Sequence, residues 1–141
     1  VIHICGRGDE EYIKRQYDRC KIKARVFNFL KEMGLAYSLA DIAISRSGAM
    51  SISEITALRL PSILIPYPFA GRHQFANAAI LSSCGAAIII KERDLNAEFL
   101  KNKLLFLLNR QDELNNIKNN LSKIPVLKAD RLLVTAALET L

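Results

Sequence analysis

Two short stretches hold the residue types that chemistry on a polar ligand would need. The first is Ser45-Arg46-Ser47-Gly48-Ala49-Met50-Ser51-Ile52-Ser53-Glu54. A β-like run (DIAIS) ends at Ser45, and small residues then let the backbone turn and approach a ligand closely before a helix begins. The first amides of such a helix have no acceptor within it, and they lie at the positive end of its dipole. A phosphate or diphosphate is the natural occupant, with Arg46 and Ser47 as further possible donors. Glu54 stands about two turns beyond Ser47, on the same face. A carboxylate would repel a phosphate in contact, but one sugar length away it can accept both hydroxyls of a ribose diol. The same residues also suit a plainer use, with Ser47 as helix cap, Ser51 and Glu54 as a capping box, and Glu54 as a surface acid. The segment has neither a GxGxxG nor a Walker signature, so a dinucleotide-binding domain or a P-loop NTPase is not indicated.

The second stretch is Pro66-Tyr67-Pro68-Phe69-Ala70-Gly71-Arg72-His73-Gln74-Phe75-Ala76-Asn77-Ala78. A proline-stiffened loop delivers His73 and Gln74 to a helix start. Both side chains can donate and accept, which suits sugar hydroxyls; a helix-terminal histidine is the plain alternative. Asn77 is expected to tie this helix to its loop. A third place is Phe29-Leu30-Lys31-Glu32-Met33, where an aromatic at a strand end can pack on a flat base. Phe29 serves equally as a core residue, and composition does not decide.

Other chemistries find little support. There is no GxSxG elbow and no Cys in an activating context with His. Between Glu32 and Ile90 only three acids face three Lys or Arg, too few for a paired-carboxylate glycosidase. Two histidines and three cysteines (Cys5, Cys20, Cys84) show no metal-type spacing, so reduced thiols are expected and a zinc site is not. The net charge is +6, and much of it is local. Lys14, Arg15, Arg19, Lys21, Lys23, Arg25 and Lys31 face one acid, Asp18. Such a stretch can meet anionic lipid headgroups, or it can simply be a solvated face. It matches no nucleic-acid motif, and no nucleic-acid partner is expected.

The elements that must position these residues follow from the hydrophobic pattern. Strands are expected at Val1 to Cys5, Ala24 to Phe29, Asp41 to Ser45, Pro61 to Ile65 and Ala86 to Ile90. Helices are expected at Asp9 to Cys20, Lys31 to Leu39, Ser47 to Leu58, His73 to Ser83, Asn96 to Asn109, Asp112 to Leu121 and Asp130 to Leu141. Short β-branched strands in strict alternation with helices imply an α/β fold, a doubly wound parallel sheet with right-handed crossovers. Ligands of such sheets bind outside the carboxyl ends of the strands, which points to the loops after Phe29, Ser45 and Ile65. A chain of 141 residues fits one domain, and its longest apolar runs are too short to cross a bilayer. Val1 already reads as strand and no Met precedes it, so the chain is expected to have lost residues at its front.

The strings ADIAISRSGAMSISEI and HQFANAAIL, joined by a Pro-rich strand exit, closely resemble the family 28 glycosyltransferases that form lipid II in bacteria. These transfer N-acetylglucosamine from UDP-GlcNAc to undecaprenyl-pyrophosphoryl-muramoyl pentapeptide in peptidoglycan synthesis. The likeness starts near Val1, is strongest from Ala40 to Ala87 and fades through the terminal helices. It implies the Rossmann-like C-terminal, donor-holding domain of a GT-B enzyme over residues 1–141. On that likeness Leu30 contacts uracil beside Phe29. Ser47, Gly48, Ala49 and Met50 line the diphosphate, with Arg46 nearby. Glu54 takes the ribose, and His73 and Gln74 take the GlcNAc hydroxyls. The implied reaction is an inverting transfer, in which the muramoyl C4 hydroxyl attacks the anomeric carbon and UDP leaves. It requires neither a covalent intermediate nor an essential bound metal. The implied setting is peripheral, at the cytoplasmic face of the inner membrane, with the membrane surface and the lipid-linked acceptor as partners.

Departures from the pattern matter too. Arg59 stands where the family usually has Gly before the fourth strand; if the site is left-handed, the side chain costs about 1 kcal/mol. The Gly-Gly-Ser loop and the N-terminal half, which would supply the catalytic base and acceptor groove, are absent from these residues. No catalytic residue is therefore assigned here, and the terminal helix, residues 130–141, would normally cross to that half. Two further readings stay open: a stand-alone UDP-sugar-binding subunit with a separate partner chain, as in the two-subunit dolichol-linked enzyme, or a sister transferase using another UDP-sugar.

Overall fold

The computed structural model describes residues 1–69 and 73–125. The expected helix over 130–141 lies outside the described residues, as do Gly71 and Arg72. Strand and helix alternate as the pattern requires, and the chain divides into two compact units, Val1–Leu39 and Ala40–Leu141.

In the first unit, β1 (Ile2–Ile4) and β2 (Arg25–Phe27) pair in parallel, with Ile2 opposite Arg25 and Ile4 opposite Phe27. Between them runs α1 (Glu10–Arg19), with Glu10 and Glu11 in its first turn and Arg19 in its last, each charge matched to the helix dipole. The imidazole Nδ1 of His3 lies 2.9 Å from the Tyr17 hydroxyl, tying the strand to that helix. α2 (Met33–Ser38) follows β2. Ala36 is the one buried hydrophobic residue of this unit, and α1 buries none of its residues.

The second unit is built around β4 (Ser62–Leu64), whose three residues are all buried. It pairs in parallel with β3 (Ala43–Ser45) on one side and β5 (Ile88–Ile89) on the other. The connecting helices are α3 (Ala49–Ala57) and α4 (His73–Ser83). A 3-10 turn at Glu92–Asp94 leads on to α5 (Ala97–Leu108) and α6 (Gln111–Ser122). The Asn96 side chain caps α5 by accepting from the Phe99 amide at 2.9 Å. Leu114, Ile117 and Leu121 recur at helical spacing and form the buried stripe of α6. With Ile55, Ile63, Leu64, Leu81, Ile90 and Leu107 they make the core.

The expected strand and helix order holds in the described residues: the strands are trimmed by one or two residues at an end, because pairing lapses where the loops begin, α4 keeps its expected bounds and α6 is one residue longer at each end. Their hydrogen-bonded ladders form two sets, β1-β2 and β3-β4-β5.

Three helices end alike. After α4, the Ala86 amide donates to the Leu81 carbonyl at 2.8 Å and the Gly85 amide to Ser82 at 3.0 Å. This is a Schellman cap with Gly85 at φ +67°. α3 closes the same way, Leu60 to Ile55 and Arg59 to Thr56, with Arg59 at φ 52°. The left-handed site suspected at Arg59 is therefore real. Lys21, at φ 55°, occupies the same position after α1.

Candidate functional site

The parallel register places the exits of β3 and β4 side by side, with α3 and α4 starting just beyond them. Gly48 is the N-cap residue of α3 and no side chain caps the helix. The capping readings are thus corrected: Ser47 does not cap α3, and Ser51 and Glu54 lie inside the helix, too far along to form a capping box. The Gly48 carbonyl accepts from the Ile52 amide at 3.0 Å, so the amides ahead of Ile52 have no acceptor within the helix. A Cβ built on Gly48 would meet nothing within 4 Å, and Ala49 and Met50 are exposed. The start of α3 is therefore open, with its amides and dipole uncovered.

Ser47 is different, because its side chain is fully buried. Its hydroxyl donates to the Gln74 carbonyl at 2.8 Å, and its own carbonyl accepts from Asn77 Nδ2 at 3.1 Å. These bonds fasten the start of α4 to the β3 exit, and they correct the expectation for Asn77: it ties α4 to the β3 exit at Ser47 and not to the loop that precedes α4. The two stretches singled out in the sequence, 27 residues apart at Ser47 and Gln74, thus meet in one place. Gln74 Oε1 accepts from the Tyr67 amide at 3.0 Å, which fixes the side-chain amide and leaves its NH2 to donate. His73 is exposed at the first position of α4.

Glu54 lies in the second turn of α3 and is half-buried. Among the described residues no hydrogen bond or ion pair engages its carboxylate. Arg46 contrasts with it. Its guanidinium forks onto both carboxylate oxygens of Glu92, Nη2 to Oε1 at 3.2 Å, and Nη1 also donates to the Ile65 carbonyl at 3.2 Å. It lies over the Tyr67 ring, 5.5 Å from the centroid. The hydrogen bonds from Arg46 hold the Glu92 carboxyl below its ordinary value, and the same bonds raise the pKa of Arg46.

Phe29 and Leu30 belong to the first unit, in the loop between β2 and α2. Phe29 is 79% exposed, which removes the core alternative for it. Leu30 lines an apolar cavity of about 390 Å³ with Ile2, Phe27, Leu35, Ala36 and Leu39. In the second unit a cavity of about 570 Å³ opens at the β5 exit, lined by Phe75, Ile89, Ile90, Lys91, Asp94 and Phe99. Among the described residues no group of three or more His, Cys, Asp or Glu side chains forms a metal cluster, and no helix is long and apolar enough to cross a membrane.

Sequence reasoning missed Glu92 and the part Tyr67 plays. The signal was available, since Glu92 follows the exit of β5 and the rule that directs attention to strand exits applies there as well.

Comparison with known proteins gives a consistent result. The model of the glycosyltransferase family 28 C-terminal domain matches residues 1–131. A UDP-N-acetylglucosamine--N-acetylmuramyl-(pentapeptide) pyrophosphoryl-undecaprenol N-acetylglucosamine transferase of Coxiella burnetii is 46% identical over 96 residues, 67% of this chain and 27% of that protein. The protein of the same name in Thermodesulfovibrio yellowstonii is 42% identical over 113 residues, 79% of this chain and 31% of its own. The crystal structure of Acinetobacter baumannii MurG superposes with a TM-score of 0.89 at 28% identity, covering 98% of this chain and 42% of that one. The chain thus spans 27 to 31% of the length of these two curated relatives.

Proposed function

The chain belongs to the glycosyltransferase family 28 C-terminal domain family, and from that premise we propose that it holds the UDP-GlcNAc donor of an inverting N-acetylglucosaminyltransfer to lipid-linked muramoyl pentapeptide. The observation that carries this reading is the pairing of an uncovered helix start with an unengaged acid. The α3 amides at Gly48, Ala49 and Met50 would take the diphosphate, with Ser47 setting the turn and Arg46 adjoining. Glu54, one turn further on and without a protein partner among the described residues, would take the ribose hydroxyls. His73 and the Gln74 amide would meet the GlcNAc hydroxyls. The α3 dipole would also stabilise the charge that gathers on UDP as it leaves.

None of these 141 residues is given the part of catalytic base; acceptor binding and deprotonation would fall to other sequence. The setting would be peripheral at the cytoplasmic membrane surface, where the lipid-linked acceptor lies.

Calorimetric titration of the chain with UDP-GlcNAc, UDP-galactose and UDP tests the reading. UDP-GlcNAc should bind most tightly. Glu54→Ala should weaken all three by about tenfold or more, the loss expected for hydrogen bonds to a charged group. Unchanged affinity in Glu54→Ala would remove the ribose role, and tighter binding of UDP-galactose would reassign the donor.

A further inference from the structure

We propose that Arg46 is a positioning residue, and that with Glu92 it forms a clasp across the exits of β3, β4 and β5 that fixes Tyr67, the residue whose amide holds the Gln74 side chain. The inference rests on the donor-binding reading for its consequence, though not for its geometry.

Each strand exit contributes one part. Arg46 directly follows β3, the Ile65 carbonyl it holds directly follows β4, and Glu92 begins the turn after β5. The guanidinium fork matches the carboxylate in two parallel contacts, a geometry that lysine cannot copy. The guanidinium's central carbon lies 5.5 Å from the centroid of the Tyr67 ring, which in turn meets Phe69 edge-on with centroids 5.6 Å apart. Tyr67 is also the residue whose amide anchors Gln74 Oε1. A continuous chain of contacts thus runs from Glu92 through Arg46 and Tyr67 to Gln74. A guanidinium held by a carboxylate fork, a carbonyl and an aromatic face is already committed, and its charge is largely neutralised. It is therefore a poor anion ligand and a good strut.

The pair is about half-exposed, with side chains 46% and 39% accessible. Such pairs contribute little to global stability, so the fold should survive loss of the clasp while the loop loosens.

The test compares Arg46→Ala, Arg46→Lys and Glu92→Gln in the 141-residue chain, with circular dichroism and melting to confirm folding. Glu92→Gln removes only the charge and carries the test alone if Arg46→Ala fails to fold. Amide hydrogen exchange at Ile65, Tyr67 and Phe69 should rise about tenfold in Arg46→Ala and in Glu92→Gln, and Arg46→Lys, which keeps the charge without the fork, should recover only part of the protection. UDP-GlcNAc affinity should drop about fivefold in Glu92→Gln, while UDP, which lacks the sugar that Gln74 would meet, keeps its affinity.

Unchanged exchange in Glu92→Gln would overturn the clasp. So would a loss of UDP binding in Arg46→Ala with none in Glu92→Gln, because that pattern marks a direct anion ligand. Tighter UDP binding in Glu92→Gln would overturn it as well, since Glu92 would then be withholding Arg46 from the ligand. If the wild type binds neither UDP nor UDP-GlcNAc, the donor reading fails by itself. The exchange data then decide the clasp without a ligand, a rise in Glu92→Gln upholding it and no change ending it.

Discussion

The two parallel ladders are made from strands of nearly the same length, yet what lies beneath them differs. In residues 1–39 the strand pair carries Ile2 and Ile4 exposed, α1 buries nothing, and Ala36 alone is a buried hydrophobic. In residues 40–125 the middle strand is wholly buried, and the helices around it contribute Ile55, Leu81, Leu107, Leu114, Ile117 and Leu121 to one core. Pairing satisfies backbone groups in both units. Only the second has apolar helix faces sufficient to remove a sheet from water. A unit near 40 residues seldom buries enough surface to stand on its own core. The well-packed unit also carries the tied residues Arg46, Ser47, Gln74 and Asn77, whose geometry depends on not moving.

The sharpest way to break this comparison is a matched truncation in each ladder. Ile63→Ala, at a fully buried position of β4, should lower unfolding free energy by about 2–5 kcal/mol. Ile4→Ala, at a position 39% exposed in β1, should cost about 1 kcal/mol or less. Denaturant titrations of the two variants check this, and equal losses would mean that β1 is packed as tightly as β4.

A smaller effect is expected from the left-handed caps. Arg59→Gly relieves a side chain at φ 52° in the packed unit and should raise its stability by about 1 kcal/mol, seen as a higher melting temperature. Lys21→Gly relieves the same strain at φ 55° in the first unit. It should slow exchange of the neighbouring amides while leaving the main melting transition in place.

The smallest effect is one of pH and belongs to the packed unit. The folded-state pKa of Glu92 is depressed by its hydrogen bonds from Arg46. Its contribution is therefore complete above the ordinary glutamate value, about 4.3, and fades as pH falls through the lower folded value. Protection factors of the Ile65, Tyr67 and Phe69 amides, taken against intrinsic exchange at each pH, should fall in that acid window, and Glu92→Gln should remove the acid dependence. A step of equal size in the variant would assign the titration to another group.

The order of elements was readable because strand and helix periods are local properties of the chain, and β3, α3, β4 and α4 each announce themselves in ten residues or so. The same local pattern marked Gly48 and Glu54 as a helix start and an acid on one face. The likeness to family 28 transferases then suggested what they would hold. Local pattern could not settle Phe29, whose side chain suits a core as well as a surface, nor Ser47, which looks like a cap and is in fact a buried tie to Gln74.

What the sequence by itself determined, then, is the alternation of elements and the strand exits at which polar chemistry gathers; the likeness to family 28 transferases added the Arg59 position, where a glycine is usual. The tertiary structure alone decided which of those polar residues are committed to the protein and which remain for a ligand. Arg46 and Glu92 are 46 residues apart, and no periodicity connects them. They meet because β4 pairs with both neighbours in parallel, which brings three strand exits to one edge. Hydrogen bonds are short-ranged and directional, so partners are fixed only once that edge exists. Glu54 stays unengaged for the same reason: no donor among the described residues reaches its carboxylate.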